Sequence, residues 1–149
     1  MDMSSVLAAV SGEQYDDRVV QIACDLLKSH KHKLYILYVI EVDRRLPIDA
    51  EIASDTTKAE EVLNRLERIA RASKFKTEGE LVQSREFGSA VIQEAFDKKV
   101  DAIVIGTPRK SIYGSFNLSN TVPYVLENAP CQVVVWQNHA PKDATDSSK

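Results

Sequence analysis

The chain reads as an α/β domain built on a five-stranded parallel sheet with helices on both faces. Short apolar segments alternate with amphipathic stretches in a βαβαβαβαβ pattern, the signature of a sheet covered by helices. The apolar segments are nearly continuous rather than alternating, as in strands buried on both faces. Right-handed crossovers then leave few topologies. With the strands in the order 3-2-1-4-5, chain direction across the sheet reverses between the first and fourth strands.

Each element has its own signal. Val6 to Val10 is a buried strand that stops at Ser11-Gly12. From Tyr15, apolar residues recur at Val19, Ile22, Ala23, Leu26 and Leu27, one face of a helix. His30 to Lys33 closes it with positive charge, which suits a helix C-terminus. Leu34 to Ile40 is too apolar for a solvated edge and is the best central strand. A loop from Glu41 to Asp49 leads into a long helix, about Ala50 to Ser73. Its stripe is Ala59, Val62, Leu63, Leu66, Ile69 and Ala70, and Glu61/Arg65 and Glu67/Arg71 are acid-first i,i+4 pairs. Glu80 to Ser84 is a weaker strand near an edge. Gly88-Ser89 opens a helix with the stripe Val91, Ile92, Ala95 and Phe96. Ala102 to Ile105 is a buried strand stopping at Gly106, and a loop runs from Thr107 to about Leu118. The last helix spans about Ser119 to Glu127, with Pro123 near its first turn, where a missing N–H matters least. Gln132 to Trp136 is the final strand. Residues 1–138 form one domain, and the polar tail 139–149 reads as disordered.

Composition narrows the function. The 149 residues carry 44% hydrophobic and 28% charged side chains and a net charge of −3, ordinary for a globular domain. Nucleic-acid-binding domains usually run basic, so no nucleic-acid partner is expected. No apolar run reaches the roughly 18 residues of a membrane span. The start, Met1-Asp2-Met3-Ser4-Ser5, lacks the basic region of a secretory signal, so a cytoplasmic protein with no direct membrane insertion is expected. Cys24 and Cys131 read as buried reduced thiols.

No catalytic motif stands out: neither a G-x-S-x-G elbow nor a G-x4-G-K-S/T loop occurs. His30 and His32 do not share a helical face, His139 lies in the tail, and Asp16 and Asp17 suit the first turn of a helix. Neither catalysis nor a metal is expected. A ligand should instead sit beyond the carboxyl ends of the strands, between Val10-Ser11-Gly12 and the loop from Gly106-Thr107. From Ala102 through Leu126 there is no Asp or Glu, although the chain carries 22 acids. That stretch holds Arg109, Lys110 and hydroxyls at Thr107, Ser111, Ser115, Ser119 and Thr121, and it runs into a helix N-terminus. Such a place attracts anions. Arg44, Arg45 and Arg85 lie at the same sheet end and could add charge.

Two segments carry a resemblance. Asp101-Ala102-Ile103-Val104-Ile105-Gly106-Thr107, a loop, then Ser119-Asn120-Thr121-Val122-Pro123 through Asn128-Ala129-Pro130-Cys131-Gln132-Val133-Val134-Val135, resembles the C-terminal half of a universal stress protein. Tyr38 through Glu51 resembles a subgroup of these domains, some fused behind amino-acid transporters. The likeness covers about residues 4–136. It implies a Rossmann-like fold, strand order 3-2-1-4-5, a homodimer pairing last strands, and an adenine nucleotide such as ATP or AMP as ligand. Carried over by position, phosphates fall on Gly106, Thr107, Arg109, Ser119, Asn120 and Thr121, and the base near Ala9, Val10, Ser11 and Val39. The frame departs from the family's G-x2-G-x9-G-S/T: here it is Gly106-x2-Arg109-x9-Ser119-Asn120, and Ser11 replaces the usual Asp. The arginine could grip an anion directly. A different or weaker anionic ligand fits this degenerate frame, and so does none. In the latter case the chain is a dimeric stress-response or transporter-associated module. Val133, Val134, Val135 and Trp136 would then line the dimer edge, which is an aggregation liability if left open.

Overall fold

The computed structural model describes residues 4–27, 31–72, 75–107 and 121–137. Five strands, β1 (Ser5–Val10), β2 (Lys33–Glu41), β3 (Lys76–Ser84), β4 (Ala102–Thr107) and β5 (Gln132–Gln137), pair in parallel in the order β3-β2-β1-β4-β5. The helices are α1 (Asp16–Leu26), α2 (Ala53–Arg71), α3 (Phe87–Lys98) and α4 (Thr121–Asn128). The fold class and strand order are those expected. Arg109, Ser119, Asn120 and the tail lie outside the described residues.

Strand periodicity sorts the core into two layers. Val6, Ala8 and Val10 of β1 join Leu34, Ile36, Tyr38 and Val104 beneath α1 and α2. Their neighbours Leu7 and Ala9 join Leu37, Val39, Ile103 and Ile105 beneath α3 and α4. Successive residues of a strand face opposite sides, so β1 must be apolar at every position. At the end of the sheet away from the loops, the Asp101 carboxylate accepts from the Ser4 N–H (2.8 Å), the Ser4 hydroxyl (2.9 Å) and the Ser5 N–H (3.1 Å). The Ser4 backbone bond, foremost among these, holds that carboxyl below its ordinary range.

Several local expectations shift. The long helix starts at Ala53, because turns closed by Leu46 N–H to Asp43 O and Ala50 N–H to Pro47 O precede it. Arg65 reaches Asp17 of α1 at 2.9 Å rather than Glu61, while Arg71 stays with Glu67 at 3.8 Å. Lys33 does not close α1, which ends at Leu26; it opens β2 and pairs with Glu78 at 2.9 Å. Phe96 is 57% exposed, outside the buried stripe of Val91, Ile92 and Ala95. Cys24 and Cys131 are not joined in a disulfide and are only half-buried. β3 is nine residues long, twice the expected segment, and half-buried along most of its length. Two of its acids are balanced sideways: Lys98 sits 3.5 Å from Glu78 and 3.7 Å from Glu80.

Between β3 and α3, Glu94 is buried and faces Glu80. Burial foremost, then the hydrogen bond to Glu80, pushes Glu94 up to about 7. Burial and the facing carboxyl thus both favour the protonated form of Glu94. Since the folded value exceeds the unfolded one, the native state binds the Glu94 proton more tightly. Stability therefore falls as pH rises from about 4.5 towards 7. Glu94→Gln should flatten this slope in denaturant titrations and leave the fold more stable than the parent at pH 8. An unaltered slope would count against the upward shift of Glu94.

Candidate functional site

The carboxyl ends of β1, β2 and β4 open into one cleft of about 460 Å³. Its lining includes Ala9, Val10, Ser11, Val39, Gly106, Thr107 and Thr121, every residue expected at the nucleotide site among those described. Their convergence follows from topology: α1 and α2 leave β1 on one face, α3 and α4 return on the other, and the crevice stays uncovered where the winding reverses.

Local sequence shapes the floor. Gly12 follows β1 with φ of +92°, a conformation that favours glycine. A Cβ there would come within 2.5 Å of the Tyr38 hydroxyl and 3.2 Å of Lys58. The Gly12 and Glu13 N–H groups donate to Asp16 Oδ2 at 2.8 and 3.0 Å, which closes the turn into α1. Asp16 is 1% exposed, and burial raises it to about 6 despite those donors. Gly106 admits the Tyr15 ring: a Cβ would lie 2.5 Å from a ring carbon and 3.0 Å from Val19. Tyr15 in turn meets Trp136 of β5, with ring centroids 5.7 Å apart. The glycine first read as a phosphate-loop residue thus also serves side-chain packing.

The rim was not foreseen. Tyr15, Tyr38, Glu41, Asp55, Lys58 and Phe87 also line the cleft. Glu41 Oε2 accepts the Phe87 N–H at 2.7 Å and so caps the start of α3. Its place after the apolar run of β2 could have flagged it. Asp55 and Lys58 reach the site only because α2 packs above β2, which no local pattern announces. The candidate arginines are engaged elsewhere. Arg44 pairs with Glu86 (3.4 Å), Arg45 with Asp43 (2.9 Å), and Arg85 donates to the Asp43 carbonyl (2.7 Å). Arg44 and Arg85 border a separate depression with Glu41, Val42 and Asp43.

The cleft is electrically lopsided. Among the described lining residues, the carboxyls of Glu13, Asp16, Glu41 and Asp55 and the single ammonium of Lys58 all stand on the β1, β2, α1 and α2 side. The β4 and α4 side contributes Gly106, Thr107, Thr121 and Val122, with no acid. An anion is therefore repelled from one end and tolerated at the other, beside the helix N-terminus. Among the described residues, no group of three or more His, Cys, Asp or Glu could hold a metal ion, and no helix is long and apolar enough to cross a membrane.

Gly106→Ala tests the packing at the floor. The new methyl group must displace Tyr15, so the variant should lose about 1–3 kcal/mol of stability. It should also change the near-ultraviolet dichroism of the Tyr15–Trp136 pair. A variant as stable as the parent, with unchanged dichroism, would refute the contact.

Comparison with known proteins bears on the whole chain. The model of the universal stress protein family matches residues 3–137. A universal stress protein of Methanocaldococcus jannaschii is 24% identical over 136 residues, covering 87% of this chain and 79% of that protein. Among solved structures, UspA of Lactobacillus plantarum superposes with a TM-score of 0.72 at 16% identity, covering 91% and 99% of the two chains. The universal stress protein of Archaeoglobus fulgidus, in complex with dAMP, gives 0.67 at 19% identity, covering 91% and 98%. With the family model spanning nearly all of the described strands and helices, the chain belongs to the universal stress protein family.

Proposed function

We propose that this protein is a non-catalytic regulatory module that binds an adenine nucleotide or a related anionic ligand in the cleft between β1 and β4. The observation that carries this is the polarised cleft itself. It has the size of a small-molecule site and places an acid-free wall beside the start of α4. The dAMP held by the Archaeoglobus fulgidus relative agrees with it. Phosphates lie against Gly106, Thr107 and Thr121, with Arg109, Ser119 and Asn120 of the adjoining loop completing the contacts. The base lies against Ala9, Val10, Ser11 and Val39. Arg109 substitutes a guanidinium for the backbone approach that a second glycine would allow. Binding without turnover, in the cytoplasm, is part of this proposal.

A thermal-shift panel of AMP, ATP and cAMP tests it. At 100 times its dissociation constant, a ligand adds about 2.7 kcal/mol to stability. Arg109→Ala should abolish most of that gain without altering the ligand-free melting temperature. Absence of any shift at millimolar nucleotide would overturn the proposal.

A second reading rests on β5. Among the described residues it pairs with β4 alone, and Val135 is 37% exposed on this sheet edge. An isologous dimer through Val133, Val134, Val135 and Trp136 removes that liability, and a transporter-associated role without a nucleotide belongs to this reading. Val135→Lys should halve the mass seen by sedimentation. A dimer that survives the substitution would refute edge pairing.

A further inference from the structure

A second cavity adjoins the cleft. It measures about 180 Å³, and Val42, Leu46, Ala50 and Ile52 line it together with the polar Asp43, Thr56 and, from β3, Gln83. Ile40, Glu41 and Asp55 belong to the walls of both cavities. The loop over it is held in shape: the Gln83 side-chain amide donates to the Ile48 carbonyl (3.0 Å) and the Ala50 carbonyl (2.8 Å). Yet Leu46 and Ile52 remain 37% and 45% exposed. A braced loop that leaves apolar side chains wet around a cavity is arranged to gain free energy when something apolar fills it.

Strand order says which part of a ligand arrives there. In the nucleotide reading, on which this inference rests, phosphates lie at β4 and the base near β1 and β2. Those positions are one to two strand spacings apart, about 5–10 Å. The second cavity continues in the same direction, from β2 to β3. We infer that this side cavity receives an apolar substituent on the base, so that the ligand class is a purine nucleotide bearing a hydrocarbon group. The volume suits a group about the size of a benzene ring, which fills a cavity of about 150 Å³ elsewhere. The shared wall keeps the polar and apolar parts of the ligand in separate surroundings.

Calorimetric titration of AMP against N6-benzyl-AMP tests the assignment. The substituted nucleotide should bind about tenfold more tightly or better. Leu46→Ser, which alters only the side cavity, should erase that advantage and leave AMP affinity unchanged. Equal or weaker binding of N6-benzyl-AMP when AMP binds overturns the inference and leaves the nucleotide reading standing. An advantage that persists in Leu46→Ser overturns it as well, because the benzyl group then sits elsewhere. If neither nucleotide binds, both readings fall.

Discussion

The burial of β1 on every side is the constraint on which the rest depends. Its residues from Val6 to Val10 are at most 2% exposed, with β2 along one edge and β4 along the other. A strand so enclosed can carry no polar side chain, and its first polar positions must come together where it emerges. That emergence is Ser11-Gly12, at the reversal of winding. The cleft is therefore a by-product of how the core is filled. Its floor inherits the rigidity of the most buried segment, and variation is confined to rim and loops.

Much of this was legible because buried parallel strands advertise themselves. The unbroken apolar runs of β1, β2 and β4 located three strands and, through topology, the site between two of them. β3 was half missed. Lys76 to Gly79 looks like loop until Lys33 and Lys98 are placed beside Glu78, and those partners come from β2 and α3. Phe96 was assigned to the core because step sizes of three and four cannot say where a helix overhangs the sheet. The rim acids were invisible for a similar reason. Asp55 and Lys58 sit on the polar face of α2, and only the packing of that helix turns them towards the cleft. Arg44, Arg45 and Arg85 carried the right charge at the right end of the sheet. Neighbouring carboxylates and carbonyls had already claimed them.

The charge pattern connects these observations. The acids of the site cluster on the winding half that precedes β3, and the half after it is free of them from Ala102 to Leu126. Asp16 sharpens the contrast. It is held against two backbone N–H groups yet raised to about 6 by burial, so it remains mostly ionised near neutral pH. The field across the cleft is thus set by fixed groups on rigid elements and weakens in acid as that carboxyl gains a proton.

The contact between the tilted rings of Tyr15 and Trp136 joins two places that are otherwise separate. One ring belongs to the cavity wall; the other belongs to the outermost strand, where a second copy would dock. If the cleft takes a ligand and the edge strand pairs as proposed, a guest that displaces the first ring would also disturb the second. Thermodynamic reciprocity would then link self-association and occupancy, with the same coupling energy read from either side. That linkage would run through two neighbouring aromatic side chains, without a hinge or a moving domain.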